Sequence, residues 1–106
     1  MAEEEFEFDG DTYDVSAAKK LLKDKNRRVV NIATDALKRM APTVSISKRK
    51  ALRPEIDLAV PIIVAIRRGR KLPIDGWHRI YKALKNGIKT LPAQILTVEE
   101  SREVLE

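Results

Sequence analysis

Cysteine is absent and histidine occurs once in this chain of 106 residues. Disulfides, thiolate metal sites and cysteine nucleophiles are therefore excluded, and the lone His78 cannot build a multi-histidine metal centre or a paired-histidine relay. No apolar run approaches the roughly 20 residues that a membrane-spanning helix requires. Glu3, Glu4, Glu5 and Glu7 stand where a secretory signal would carry positive charge. The expectation is a cytoplasmic chain with no membrane partner. Also missing are a GxxxxGK(S/T) phosphate loop, a GxGxxG nucleotide fingerprint, an HExxH pair and zinc-finger spacing, which removes several common enzyme classes. The length leaves room for one domain with one modest core.

Positive charge, by contrast, is abundant and unevenly placed. Twenty of the twenty-one Lys and Arg fall between Val15 and Val98, against five Asp and Glu, so the overall charge of +5 hides a surplus of fifteen in that stretch. Seven acids crowd the first fourteen residues and four the last eight, where Arg102 is the only base. The division expected from charge is an acidic segment over 1–14, a basic domain over 15–98 and an acidic segment over 99–106. A basic body suits nucleic acid, a nucleotide or an anionic membrane. Only the first two also suit a discrete glycine-containing pocket.

Local patterning predicts a short strand or a tail anchored by Phe6 and Phe8 over Glu3 to Asp11. A helix follows, capped by Ser16 and ending near Lys25 or Asn26. Val29 to Ile32 reads as a strand, and Thr34 as the cap of a second helix that Pro42 stops. Thr43 to Arg53 reads as a surface loop or short helix carrying Lys48, Arg49 and Lys50 past the core. The apolar, β-branched run from Leu58 to Ile66 predicts a strand buried on both faces. A tight basic turn with Arg67, Arg68, Arg70 and Lys71 leads into a second strand, where Pro73 favours an edge or a bulge. A third helix from Trp77 to Asn86 ends at Gly87, and Pro92 to Val98 forms the last strand before a closing helical turn. The fold class expected is α+β, a small mixed sheet with packed helices.

The chemistry concentrates at Asp75-Gly76-Trp77-His78-Arg79. Gly76 permits close approach of the backbone, and the first amides of the following helix lack internal acceptors, so they can face an anion. Arg79 adds a five-donor fork and His78 a donor near physiological pH. Arginine in a first helical turn otherwise opposes the helix dipole. Trp77 serves either as a core anchor or as a stacking platform for a base. Asp75 serves either as a helix cap or as a magnesium ligand whose other positions substrate phosphates fill. His78 fits phosphate contact, local hydrogen bonding or acid–base work. Glu55 and Asp57 are the nearest candidates for a general base. Lys82 lies with His78 and Lys85 on one helix face, away from the apolar stripe of Trp77, Ile80, Tyr81, Leu84 and Ile88.

Pro61-Ile62-Ile63-Val64, then Ile74-Asp75-Gly76-Trp77-His78-Arg79, then Ala83, Gly87 and Leu91-Pro92-Ala93 resemble, in that order, the core of the ParB N-terminal and sulfiredoxin-like superfamily. The likeness spans about Val30 to Val98. It implies a ParB/sulfiredoxin-like fold in which Gly76 and Arg79 help hold nucleotide phosphates, with ATP or CTP and Mg2+ as cofactors of its nucleotide-using members. Trp77 stands where sulfiredoxins carry their reactive cysteine, so sulfiredoxin activity is not expected. The second nucleotide motif, helix-turn-helix and dimerisation segment of a full ParB have no room after Leu96.

Two functions follow as expectations. The first is a nucleic-acid-associated ParB-like module, possessing or lacking a homodimeric state, that binds phosphate of DNA or a nucleotide through Gly76, Trp77, His78 and Arg79. In it Lys48, Arg49, Lys50, Arg67, Arg68, Arg70, Lys71 and Lys82 form the nucleic-acid surface. The alternative is a magnesium-dependent phosphotransferase or nuclease using ATP, CTP or DNA, with Asp75 on the metal and Asp75 and His78 catalytic.

Overall fold

The computed structural model describes residues 4–106; Met1, Ala2 and the acidic Glu3 lie outside them. The chain is α+β, with helices packed on a mixed sheet. Its strands are β3 (Val30–Ala33), β4 (Ile62–Arg67), β5 (Arg70–Asp75) and β6 (Thr90–Ile95), and their spatial order is β3-β6-β4-β5. β3 runs antiparallel to β6 and β5 antiparallel to β4, while β4 and β6 are parallel. Strand β4 is interior, and its alternating side chains serve two cores. Ile62 and Val64 pack with Leu37, Trp77, Ile80, Leu91 and Ala93 on one face. Ile63 and Ala65 pack with Tyr13, Leu22, Leu72, Ile74 and Leu96 on the other. The expected two-faced burial is therefore present, although the strand starts at Ile62 and not near Leu58. Pro61 has no amide to give the ladder, and Val60 is exposed.

One face is covered by α1 (Val15–Asp24) and a hairpin of β1 (Glu5–Phe8) and β2 (Asp11–Asp14). The hairpin turns at Asp9-Gly10, both at positive φ (48° and 85°), the two-residue geometry for which Asp-Gly is favoured. Tyr13 carries it into the core, where the ring is buried. Asp14, not Ser16, caps α1 by accepting from the Ala17 amide at 2.9 Å. The Ser16 hydroxyl instead accepts from the Glu4 amide.

The other face carries α4 (Trp77–Lys85), with α2 (Asp35–Lys38) and α3 (Lys48–Ala51) beside it. Thr34 does not cap α2; its hydroxyl donates to the Ile88 carbonyl and ties β3 to the start of β6. Pro42 does not act only as a stop, because it opens a 3-10 turn over Ala41–Thr43, where its missing amide costs nothing. Gly87, at φ 70°, follows α4 as expected. The closing helix α5 (Val98–Glu103) begins with a reciprocal capping box between Thr97 and Glu100. Glu100 also receives both terminal nitrogens of Arg27, at 2.9 and 2.7 Å, so one buried carboxylate fastens the last helix to the loop after α1. No helix among the described residues is long and apolar enough to cross a membrane.

Candidate functional site

The register of the β4–β5 hairpin slips next to Asp75. Val64 faces Pro73, yet the next residue of β4, Ile63, faces Asp75, which leaves Ile74 as an extra residue in β5. Paired residues in a ladder share a face, so the bulge places Asp75 on the side of Ile63, towards α1. Pro73 is accommodated at this irregular edge, as its lack of an amide requires.

Gly76 follows at φ 102° as the cap residue of α4. A Cβ there would lie 2.5 Å from Ile62 Cγ2, 2.8 Å from Arg79 Nη2 and 3.0 Å from Arg79 Nε. The glycine is needed both for its left-handed backbone and for the space through which Arg79 folds back. Arg79 Nη2 then donates to Asp75 Oδ2 at 3.1 Å. Its side chain is 15% exposed, and its Nε is buried with no acceptor. Asp75 is thus an ion-pair partner of Arg79 and not the side-chain cap of α4, which has none.

Beside this pair opens a pocket of about 380 Å³ lined by Lys19, Lys23, Val60, Pro61, Ile63, Asp75, Arg79 and Gln94. Three of the lining side chains are cationic and one is anionic. Lys19 and Lys23 stand one turn apart on α1, flanking its buried stripe of Val15, Ala18 and Leu22. Like charges at that spacing repel by a few tenths of a kcal/mol. Glu4 accepts from Lys19 Nζ through both carboxylate oxygens, at 2.7 and 3.0 Å, at the exposed rim. Gln94 is held by donating to the Arg27 carbonyl. Lys19, Lys23 and Gln94 were not singled out from the sequence. The only signal for the lysines was their spacing beside the apolar stripe.

The remaining expected residues lie elsewhere. Trp77 is core: it is 5% exposed, and its Nε1 donates to the Pro73 carbonyl at 2.8 Å. Its ring is therefore not available to stack on a base, which corrects its place among the nucleotide-binding residues. His78 does not line the pocket. Burial, then the charges of Lys50 and Arg79, hold its imidazole below the ordinary pKa and favour the neutral form. Arg67 is a structural clamp and not a nucleic-acid contact, since it bonds Asp11 at 2.9 Å, approaches Asp9 at 3.6 Å and sits 5.3 Å from the centre of the Phe8 ring. Lys82 donates to the carbonyls of Arg53 and Ile56, so its ammonium tethers the segment after α3.

Lys48, Arg49 and Lys50 are exposed on α3, which packs on α4, and Lys48 Nζ stands 6.0 Å from the centre of the Tyr81 ring. This cluster lies near the start of α4 on the His78 side, where the charge of Lys50 acts on the imidazole. Arg68, Arg70 and Lys71 are exposed at the opposite end of the β4–β5 hairpin, about 17 Å of strand from Asp75. The bases therefore form separate groups and not one continuous patch.

Asp75 is the pocket's one carboxylate, and Glu55 and Asp57 do not line it. Asp57 instead accepts from the Ala59 amide. No group of three His, Cys, Asp or Glu side chains converges among the described residues. With its single carboxylate already bonded to an arginine, the site does not fit a resident magnesium ion. What the arrangement can do is neutralise an oxyanion with Lys19, Lys23 and the unsatisfied donor capacity of Arg79. Comparisons with protein-family models, with curated proteins and with solved structures found no match to this chain.

Proposed function

We propose that the chain is a small nucleic-acid-associated module that binds a phosphate of DNA or of a nucleotide in the pocket bounded by Lys19, Lys23 and Arg79. The observation that carries this reading is the convergence of Lys19, Lys23 and Arg79 around one carboxylate, with the Nε of Arg79 lacking an acceptor. An incoming phosphate would relieve the repulsion between the two lysines and supply acceptors to the guanidinium. The pocket's volume lies in the range of small-ligand sites. The ordered motifs that resemble the ParB N-terminal and sulfiredoxin-like superfamily support a nucleotide phosphate in particular, and that kinship is part of the proposal. The exposed bases of α3 and of the β4–β5 turn would add sequence-independent contacts to a longer polyanion.

Turnover by a magnesium-dependent phosphotransferase or nuclease has no observation in its favour, because Asp75 is committed to Arg79 and His78 stands outside the pocket. The test is calorimetric titration with ATP, ADP, CTP and a short DNA duplex, each with and without magnesium and at several salt concentrations. Binding that weakens with salt and with Arg79→Ala is expected. The reading is overturned if none of these ligands binds at low salt, or if Arg79→Ala leaves affinity unchanged.

A further inference from the structure

The two edges of the sheet are built differently. β5 is guarded by Pro73, by the adjacent bulge, and by Arg70 and Lys71, devices that discourage pairing with another strand. β3 has none of them. Its sequence Val30-Asn31-Ile32-Ala33 contains no charge, proline or bulge, and three of its four residues are exposed. Val29, just before it, and Val30 are 46% and 39% exposed.

The ladder also shows which backbone groups are free. Thr34 donates its amide to the Lys89 carbonyl, and antiparallel pairs alternate between bonded and non-bonded. Ile32–Leu91 and Val30–Ala93 are then the bonded pairs, while Ala33–Thr90 and Asn31–Pro92 are not. Pro92 agrees independently, because it has no amide to donate. The amide and carbonyl of Asn31 and Ala33 therefore point away from β6, out of the sheet.

We infer that the β3 edge pairs antiparallel with the β3 edge of a second copy of this chain, with Asn31 facing itself on the two-fold axis. Only residues whose backbone groups point outward can bond across the new seam, so the Asn31–Asn31 pairing is an allowed register. It sets Val30 against Ile32 of the other copy twice, and Val29 against Ala33 twice, covering the exposed apolar side chains. It also sets Arg28 of each copy opposite Thr34 of the other, one residue short of Asp35 at the start of α2, at both ends of the seam. Neither Arg28 nor Asp35 has an ion-pair partner within its own chain among the described residues, and both are exposed. A parallel arrangement would put like charges together. The antiparallel copy is thus the complementary occupant, and joining at β3 yields one continuous sheet of eight strands, twice the four in each copy. The seam is short, so the association is weak and concentration-dependent. It does not depend on what the pocket binds.

Sedimentation velocity over about 10 µM to about 1 mM of the full chain tests the inference. A monomer–dimer equilibrium is expected, together with slowed hydrogen exchange of the Asn31 and Ala33 amides as concentration rises. Asn31→Pro removes the central outward donor without touching a bond to β6, and Val30→Lys places a charge at the seam. Each should raise the dissociation constant by about tenfold or more while circular dichroism shows the fold intact. If Asn31→Pro fails to fold, Val30→Lys, at an exposed position, decides alone. A monomer throughout this range overturns the inference. So does a dimer that the folded variants leave unchanged, which would mean another surface, and so does association only with a different protein.

Discussion

Arg79 bends back over Gly76 to meet Asp75 at 3.1 Å, one helical turn earlier, while its own Nε remains buried without an acceptor. The carboxylate both orients the guanidinium and competes with any anion for it. Removing the two partners should therefore have opposite effects on phosphate binding. Arg79→Ala is expected to weaken it by about 10-fold or more, the usual range for losing a hydrogen bond to a charged group. Asp75→Asn is expected to strengthen it about 3-fold at low salt. Calorimetric titration of the two variants checks the pair. Changes of the same sign would count against the proposed site.

Gly76→Ala should be costly for two reasons. Alanine resists φ 102°, and its Cβ would fall 2.5 Å from Ile62 Cγ2, a buried methyl with no room to withdraw. A loss of about 2–3 kcal/mol in urea unfolding is expected. Binding should fall as well, because the same Cβ displaces the guanidinium of Arg79.

The rim ion pair between Glu4 and Lys19 makes Glu4 an internal rival of any anion that enters the pocket. Glu4→Gln is expected to tighten phosphate binding about 2-fold at low ionic strength. The gain should vanish in high salt, since both groups are half-exposed and easily screened. Titration at low and high salt measures it.

Stability should depend on Glu100. Hydrogen bonds from Arg27, opposed by burial and helped by the Thr97 amide and Lys25, hold its carboxyl down from 4.5 to about 2. A carboxyl depressed in the folded state contributes stability that is fully present above about 4.5 and is lost as pH falls towards about 2. The contribution at neutral pH is on the order of 3 kcal/mol, as the side chain is only 3% exposed. Unfolding experiments from pH 7 to pH 2 should show this slope, and Glu100→Gln should flatten it at the cost of neutral-pH stability.

His78 offers a probe that needs no change of sequence. Burial, Lys50 and Arg79 lower its pKa, so below the ordinary histidine range the unfolded chain takes up the proton more readily and the fold loses stability as pH falls. An anion beside Arg79 would cancel part of that positive field. The imidazole resonance, followed by NMR against pH, should titrate at higher pH when phosphate is bound than when it is not. An unmoved titration would place the bound anion away from Arg79.

The parts of the fold that depend on short-range pattern were legible from the residues. The disruption around Pro73 and the helix end at Gly87 stand where backbone chemistry put them, and the apolar run read from Leu58 to Ile66 forms its strand only from Ile62 on. Competition between neighbouring caps was not legible: Asp14 and Ser16 are both good caps, and only tertiary contact assigns Ser16 to Glu4 instead. The Asp9-Gly10 turn was a local signal that the density of acids obscured. Gly76 and Arg79 stood out in the sequence because glycine admits close backbone approach and an arginine in a first helical turn opposes the helix dipole. Lys19, Lys23 and Gln94 did not, because they come from α1 and β6, and nothing in their own segments marks the space they share. Arg67 and Lys82 show the reverse error, for positive charge was read as surface where the fold uses it as a tether.

The extra residue at Ile74 has a practical implication. A segment carrying Asp75 to Arg79, grafted into a regular hairpin, would keep every side chain that matters and still swing its carboxylate to the opposite side, away from the lysines. Transplanting this arrangement would therefore require copying a miscount in strand pairing, which no inventory of amino acids records.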